Sequence, residues 1–339
     1  MWQALGGNPV TGQGSSGKHE DRHMHALGVD IGGTKIAAGV VDEDGTLLAQ
    51  VRKPTDPSDA ANIDRSIAEA YQELSASYEI SAIGLAAAGF CSPKRDSVLF
   101  GTNIAAWRDY PLAARVAELT NPDIPVVVEN DANAAGWAEY RFGAGRGTTD
   151  FLVLTVGTGL GGAAVVGGEL VRGRYGMGTE VGHMRVVPDG RFCGCGQAGC
   201  WEQYSSGSAL VADARAALVA QADRAGRLLE LAGGVPQNLT GPMVTTAAHE
   251  GDALAIEIFA NLGQWLGAGA ASLSAFMDPE VIAIGGGVCD AGAVLLDPTV
   301  ASFEKHLSAR THRPALARIE LARLGNEAGM VGAADLARR

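Results

Sequence analysis

The fold is decided by residues 26–41, which read ALGVDIGGTKIAAGVV. The apolar run from Ala26 to Ile31 predicts a strand, and the glycine pair that follows it predicts a turn. A second apolar run, Ile36–Val41, predicts a strand that returns beside the first. Residues 42–45, DEDG, are typical of a hairpin turn, so Thr46–Arg52 is expected to add a third antiparallel strand.

Alternating helices and strands continue this pattern. Residues 60–77 space their apolar side chains for one buried helical face, from Ile63 and Ile67 to Leu74. The other elements predicted here are buried strands at 81–88 and 126–129 and helices at 112–119 and 132–142. Together with the three antiparallel strands, these elements make one complete α/β unit.

A second copy of the same plan follows. Phe151–Val156 predicts a strand, Gly157–Gly162 a turn and Ala163–Val166 a returning strand, with a further turn at 167–169. Later elements of this copy are a long helix at 253–276, a strand at 281–284 and a glycine turn at 285–287. Two similar halves that face each other form a cleft, which is where ligands usually bind.

Composition excludes several classes of protein. The 339 residues suggest two domains, and the net charge of −12 argues against nucleic acid as a partner. No apolar run is long enough for a membrane helix, so no membrane partner is expected. Residues 1–25 are interpreted as a flexible extension. They show no secretory pattern, so a cytoplasmic location is the expectation. The five cysteines then favour metal binding over disulfides.

The first motif with chemical content is Asp30-Ile-Gly-Gly-Thr-Lys35. A strand that ends near a carboxylate, followed by Gly32, Gly33 and Thr34, offers backbone N–H groups to phosphate oxygens, and Asp30 is suited to hold a phosphate-bound Mg²⁺. An ordinary hairpin turn would have the same sequence, so this motif alone leaves both readings open. The glycine turn at 157–162 favours the phosphate reading, because two such turns on related halves can hold one polyphosphate.

The second motif is Glu129-Asn-Asp131-Ala-Asn-Ala-Ala135. The preceding strand delivers an amide and a carboxylate to the start of a helix, where the helix dipole favours the ionised form of Asp131. An ionised carboxylate in a cleft is suited to accept the proton of an attacking hydroxyl. Asp is also a preferred N-cap residue, so a purely structural role for Asp131 remains open from the sequence.

The third motif is the most specific. His183 is followed by three cysteines within eight residues, Cys193, Cys195 and Cys200, separated mostly by glycines. One histidine and three cysteines complete the tetrahedral shell of a zinc ion, and four protein ligands leave no open position. The site is therefore predicted to be structural; buried free thiols or a disulfide are the alternatives. Cys91 and Cys289 are interpreted as small core residues.

Two acidic residues flank this motif. Glu180 and Glu202 lie on either side of the predicted zinc ligands, and they are either a solvated pair or part of a binding site. The second ring nitrogen of a metal-bound imidazole is free to hydrogen-bond. A fixed His183 between two carboxylates would form a polar wall suited to sugar hydroxyls.

Five motifs together resemble the ROK family of bacterial sugar kinases and repressors. They are Asp30-x-Gly-Gly-Thr-Lys, Glu129-Asn-Asp-Ala, Thr155-x-Gly-Thr-Gly-x-Gly-Gly, Glu180-x-Gly-His, and Cys193-x-Cys-Gly-x-x-Gly-Cys-x-Glu202. The resemblance covers about residues 26–338. Within the family, the pattern is most similar to the actinobacterial ATP-dependent glucokinases.

The resemblance implies an α/β protein with the actin-like ATPase (ribonuclease H-like) fold, with two domains around a central cleft. We expect a small domain at 26–136, joined by a C-terminal helix near 327–338, and a large domain at 137–326 with the zinc-binding insertion. The implied activity is transfer of phosphate from Mg-ATP to the 6-hydroxyl of glucose in a homodimer or homotetramer.

The resemblance also assigns roles to residues. Asp131 is expected to be the general base. The implied hexose contacts are Gly89, Asn103, Asn130, Asp131, Glu180, His183 and Glu202. The implied nucleotide contacts are Asp30, Gly32, Gly33, Thr34, Lys35, Thr158, Gly159, Gly285, Gly286 and Gly287.

Two alternatives are weighed against this expectation. One is a kinase for another hexose, or one that uses polyphosphate, since hydroxyl-binding residues are shared among such enzymes. The other is a sugar-responsive transcription repressor, because the family includes these. The short segment before the first strand shows no helix-turn-helix pattern, and the chain is acidic, so the repressor is disfavoured.

Overall fold

The computed structural model describes residues 25–101 and 104–339. The predicted extension at 1–25 therefore lies outside the described residues, apart from His25, which begins the first strand. Two five-stranded sheets form the frame of the molecule, and they have the same strand order. The repeated plan predicted from the sequence is thus present in the fold.

The first sheet is built from the decisive segment. Strands β1 (His25–Ile31), β2 (Lys35–Val41) and β3 (Leu47–Pro54) are antiparallel, and β4 (Ile80–Ala87) and β8 (Val126–Asn130) extend the sheet parallel to β1. β1 is almost wholly buried, whereas burial alternates along β3, as expected for an edge strand with one solvated face.

Helices cover this sheet. α1 (Ala60–Ser75) is capped by Asp59, whose carboxylate accepts the N–H of Asn62, and it buries the predicted apolar face. α2 (Leu112–Leu119) has the bounds predicted from the sequence. A small antiparallel sheet is inserted between β4 and α2. Its strands are β5 (Gly89–Cys91), β6 (Val98–Gly101) and β7 (Arg108–Tyr110). The sequence did not predict it, because strands of three or four residues carry no periodicity.

The second sheet repeats the first. β9 (Phe151–Val156), β10 (Leu160–Val166) and β11 (Glu169–Leu170) are antiparallel, and β12 (Val281–Gly285) and β13 (Arg318–Leu321) run parallel to β9. The prediction of a turn at Gly157–Gly162 was wrong in its second half, because Leu160–Gly162 already pair with β9. Similarly, Glu169 lies in β11 and not in the turn.

Helices also cover the second sheet. α7 (Ala253–Met277) confirms the long predicted helix, and it packs along α8 (Ala293–His306). The other helices of this half are α4 (Gly207–Ala220), α5 (Gly226–Leu231) and α6 (Gly241–His249). None of the helices in the described ranges is long and apolar enough to cross a membrane.

Two helices join the halves. α3 (Asp131–Phe142) spans the boundary at 136/137 that we expect from the sequence, and it contacts both β8 and β10. α9 (Ala328–Ala337) follows β13 but packs on β1, β4 and α3. The approach is so close that a Cβ added at Gly84 would lie 1.8 Å from the carbonyl oxygen of Ala333. The chain thus crosses between the sheets twice, and the cleft lies beside these crossings.

Candidate active site

A cavity of about 120 Å³ lies between the two sheets, at the point where α3 begins. Both halves contribute to its wall, through β5 and the β8–α3 junction of the first and β10 and residues 179–180 of the second. The residues that line it are Gly89, Phe90, Asn130, Asp131, Ala132, Gly161, Gly162, Thr179 and Glu180. Four of these, Gly89, Asn130, Asp131 and Glu180, are predicted hexose contacts.

The β8–α3 junction places Asp131 in this cavity. Asn130 and not Asp131 is the N-cap of α3, since its side-chain oxygen accepts the N–H of Asn133 at 3.0 Å. Asp131 is therefore the first residue of the helix and not its N-cap. Its Oδ1 accepts the N–H of Ala132 at 2.9 Å and the side-chain amide of Asn130 at 3.1 Å. The same amide donates to the carbonyl of Gly89 at 3.1 Å, so β5 is tied to this junction.

The electrostatics of Asp131 suit a base. Burial raises the pKa of Asp131, and hydrogen bonds from Ala132, from its own backbone N–H and from Asn130 offset part of the rise. A carboxylate with a raised pKa holds a transferred proton better than a solvent-exposed one does. The arrangement is suited to proton abstraction from a hydroxyl bound in the cavity.

The first glycine turn follows β1. The N–H of Gly32 donates to the carbonyl of Lys35 at 3.0 Å, so the turn is closed by its own backbone. Asp30, at the end of β1, has a pKa raised to about 6: burial is the largest cause, the negative charge of Asp131 adds to it, and Lys35 opposes it. Because the negative charge of Asp131 disfavours ionisation of Asp30, a bound cation would be favoured beside these two carboxylates.

The second glycine turn joins β9 and β10. The N–H of Gly157 donates to the carbonyl of Gly159, and the carbonyl of Gly157 accepts the N–H of Gly207 at the start of α4. Gly286 lies against Val156, since a Cβ added there would lie 2.4 Å from the Val156 carbonyl oxygen. The structure thus brings the end of β9, which precedes the predicted residues Thr158 and Gly159, against the predicted turn at 285–287.

The four predicted metal ligands converge. The ligand atoms of His183, Cys193, Cys195 and Cys200 all lie within 4.8 Å of one another. The Nδ1 of His183 is 3.8 Å from the Sγ of Cys193, and the Sγ atoms of Cys195 and Cys200 are 3.6 Å apart. Two thiolates at about 2.3 Å from a tetrahedral zinc are about 3.8 Å apart, so these residues fit the ion.

Short 3-10 turns position this cluster. His183 lies in the turn Val181–His183, and the turn Trp201–Gln203 follows Cys200. Trp201 is fully buried and donates from its ring N–H to the carbonyl of Trp265 on α7 at 3.1 Å. A Cβ added at Gly269, one turn further along α7, would lie 2.1 Å from the Trp201 ring. This packing anchors the segment on the second half.

The two flanking glutamates occupy different places. Glu180 lines the cavity, and partial desolvation there raises its pKa, against the attraction of His183 and with the charges of Asp131 and Glu202 adding to the rise. Glu202 turns toward the cluster, since its Oε1 lies 3.0 Å from the Sγ of Cys193 and 3.8 Å from the Nδ1 of His183. Its Oε2 lies near Gly159. In this structure Glu202 therefore links the His/Cys cluster to the second glycine turn.

Several residues of the cavity wall were missed from the sequence. Phe90, Ala132 and Thr179 line the cavity without having been predicted, and Gly161 and Gly162 were expected only in the phosphate turn. Phe90 follows Gly89 in the sequence and Ala132 follows Asp131, so their adjacency to predicted site residues is the signal that would have identified these two. Asn103, a predicted hexose contact, lies outside the described residues, which omit 102 and 103.

Comparison with known proteins places this site in context. Residues 26–339 match the ROK family. A glucokinase from Streptomyces coelicolor is 46% identical over 312 residues, which are 92% of this chain and 97% of that protein. The crystal structure of a ROK family glucokinase from Streptomyces griseus, in complex with glucose and AMPPNP, has a TM-score of 0.82 and 48% identity, covering 93% of this chain and 99% of that one. A ROK hexokinase from Thermus thermophilus has a TM-score of 0.77 and 34% identity over 93% of this chain and 98% of that one.

Proposed function

The chain belongs to the ROK family, and on that premise we propose that it is an ATP-dependent glucokinase that phosphorylates the 6-hydroxyl of glucose. The observation that carries this proposal is the Asp131 carboxylate, which lines a cavity shared by both halves and is not the N-cap of its own helix. The glucokinases similar to this chain supply the substrate class.

Asp131 is the proposed general base. As the 6-hydroxyl oxygen attacks the γ-phosphorus, Asp131 accepts the hydroxyl proton. A bond forms between the sugar oxygen and phosphorus, the bond to the β,γ-bridging oxygen breaks, and ADP leaves. The hydrogen bonds to Oδ1 fix the carboxylate in place, so little reorganisation is needed at the moment of transfer.

The remaining cavity residues are proposed to hold the sugar. Asn130 and Glu180 offer an amide and a carboxylate to ring hydroxyls, and Gly89 offers its backbone. His183 faces the metal cluster with Nδ1, which leaves Nε2 to meet a hydroxyl. Glu202 is proposed to complete this wall from beside the cluster, and Asn103 keeps its proposed role as a sugar contact.

Two glycine turns are proposed to hold ATP. Gly32, Gly33, Thr34 and Lys35 would face the phosphates from the first half, and Thr158 and Gly159 from the second. Gly285, Gly286 and Gly287 would border the adenosine, since that turn packs against the end of β9. Asp30 is proposed to hold Mg²⁺, which when bound neutralises phosphate charge.

The proposed zinc is structural. The four ligand atoms fit a tetrahedral ion and leave no position for water or substrate. Zinc, when bound, supplies a fixed centre that holds His183 and the Trp201–Gln203 turn in place. The residues themselves then present the imidazole and Glu202 to the sugar, so the metal acts on binding and not on chemistry.

A homodimer or homotetramer in the cytoplasm is the proposed working form. A groove of about 670 Å³ lies on the second half, and its lining is mostly apolar and includes β10 and the end of α7. Such a surface supports self-association, because a second copy of the chain would bury it. Phe276 in this groove is 88% exposed, which is costly for an isolated chain in water. Clustered thiols are typical of the reducing cytoplasm. Sedimentation of the parent and of a Phe276→Asp variant tests the oligomer; equal masses at the monomer value would refute it.

Initial rates over a panel of hexoses, with ATP and inorganic polyphosphate compared, test the proposed function. We expect the highest kcat/KM for glucose with Mg-ATP. A preference for mannose or an N-acetylated hexosamine, or for polyphosphate, would favour the alternative kinase. Absence of phosphoryl transfer to every sugar, with sugar binding retained, would favour a regulatory protein.

A further inference from the structure

A buried ion cluster lies directly behind the proposed base. Glu129, the residue before Asn130 on β8, has a side chain that is only 4% exposed. Its Oε2 accepts from the Nε of Arg172 at 2.6 Å and lies 3.4 Å from the Nε of Arg95. Its Oε1 accepts the backbone N–H of Asn130 and the side-chain amide of Asn133, both at 3.1 Å. All four groups meet on one carboxylate.

Arg172 reaches this carboxylate from the other half. It belongs to a segment at residues 171–180, called here the bridging segment, which follows β11 and ends at Glu180. The segment closes on itself, because the carbonyl of Arg172 accepts the N–H of Gly178 at 2.9 Å. It thus forms one compact loop, which is tied to its own half where the N–H of Val171 donates to the carbonyl of Ala164 and which also contacts the first half.

Two more contacts fix the bridging segment. Its middle rests on β5, since a Cβ added at Gly176 would lie 2.0 Å from the carbonyl oxygen of Cys91. At its end, the Oγ1 of Thr179 lies 3.2 Å from the Oδ1 of Asn133 on α3. Thr179 has φ of +67°, a strained conformation for a β-branched residue that persists only where its surroundings impose it.

We propose that Arg172 is a positioning residue: its ion pair with Glu129 keeps the segment that carries Glu180 in register with the junction that carries Asp131. The two carboxylates come from different sheets and line the same cavity. Because a displacement of about 1 Å costs on the order of 100-fold in rate, the relative placement of these groups has to be held by a strong contact. The inference rests on the proposed function for the identity of the sugar.

Arg172→Gln tests this role, with Arg174→Gln as its matched control. Arg174 lies in the same segment but is exposed, with its guanidinium 5.9 Å from the centre of the Tyr175 ring. We expect Arg172→Gln to raise the glucose KM and lower kcat together, with a loss of roughly 10- to 100-fold in kcat/KM. The KM for ATP is expected to stay within about twofold of the parent, and Arg174→Gln to match the parent throughout.

A stability effect is separated from a positioning effect by two measurements. Glucose titration without nucleotide reports the sugar site alone, and thermal unfolding reports the fold. If Arg172→Gln lowers only the Tm and leaves the constants per folded molecule unchanged, Arg172 is merely structural and the proposal is overturned. A rise confined to the KM for ATP would overturn it as well.

A variant without charge in this cluster keeps the test decisive where Arg172→Gln does not fold. Removing Arg172 alone leaves Glu129 with Arg95 as its remaining arginine partner, whereas Glu129→Gln combined with Arg95→Gln and Arg172→Gln removes all three charges. We expect this triple variant to fold and still to bind glucose more weakly than the parent does. Glucose binding equal to the parent in the triple variant would overturn the proposal. Each variant is compared with the parent on the hexose that the parent turns over fastest. The parent's own turnover of glucose then tests the proposed function, whereas the ratio of each variant's constants to those of the parent tests this inference.

Discussion

The sugar site proposed above has two walls that are built in different ways. The wall that carries Asp131 is a strand–helix junction, where β8 ends and α3 begins, and backbone hydrogen bonds fix its side chains. The wall that carries His183 and Glu202 lies between Leu170 and Gly207, where the chain forms only 3-10 turns and isolated bridges. The first wall is specified by regular secondary structure and the second by four converging ligand atoms. We therefore expect changes in the first wall to impair phosphoryl transfer and changes in the second wall to impair sugar binding.

Asp131→Asn is expected to have the largest effect. The amide keeps the size of the side chain but cannot accept the proton, so kcat should fall by about 10²- to 10⁴-fold. The Tm should stay near that of the parent, because Asn130 and not Asp131 caps α3. Coupled-assay rates and thermal unfolding check both, with exposed Asp123→Asn as the control. A kcat within about threefold of the parent would remove Asp131 from the role of base.

Cys200→Ala is expected to break the second wall. Cys200 is 1% exposed, and its loss leaves three ligands, so zinc content should fall and the free energy of unfolding should drop by more than about 3 kcal/mol. Elemental analysis and urea unfolding measure these quantities. Cys91→Ala is a matched control, since Cys91 is 3% exposed and lies outside the cluster. Equal zinc content in both variants would contradict the proposed ligand set.

The pH dependence of stability tests the charge at the first wall. The pKa of Asp30 is raised to about 6 by burial, by Asp131 and against Lys35, so the folded state binds its proton more tightly than the unfolded chain does. The neutral form is favoured, and the stability it provides is lost as pH rises from about 3.8 to 6. Without nucleotide or metal, the free energy of unfolding of Asp30→Asn should therefore rise relative to that of the parent across this pH window, by up to about 3 kcal/mol.

Unfolding of both proteins at pH 4 and pH 7 measures this gap, which is the free energy of unfolding of Asp30→Asn minus that of the parent. A gap that closes as the pH rises would show that Asp30 is stabilised in its ionised form. Lys35 would then dominate over burial, contrary to the site described above.

Gly269→Ala is expected to have a smaller effect. The added methyl group would overlap the Trp201 ring, so the free energy of unfolding should fall by about 1–3 kcal/mol. Displacement of Trp201 should also raise the glucose KM with little change in kcat, because only the second wall moves. Gly226→Ala is the control, since a Cβ there meets nothing within 4 Å. A lower kcat at unchanged KM would show that the two walls are not separable.

The two walls also differ in how far the sequence predicts them. The sequence predicted the first glycine turn, the first half of the second, the convergence of four candidate metal ligands and the bounds of β9 and α2, because periodicity and close spacing carry these features. It left the role of Asp131 open, because a helix that began one residue later would make Asp131 the N-cap instead of a candidate base. The pairing of Glu129 with Arg172 spans 43 residues, and only the packing of the bridging segment brings the two together.

Glucose binding without nucleotide, measured by calorimetry on two proteins, tests the central claim most directly. The two proteins are Asp131→Asn with its zinc retained and the parent after removal of zinc by a chelator. We predict that Asp131→Asn binds glucose within about threefold of the parent, whereas the zinc-depleted parent loses at least about tenfold in affinity. Unchanged glucose affinity in the zinc-depleted protein would contradict the account, because the metal-held wall would then play no part in binding sugar.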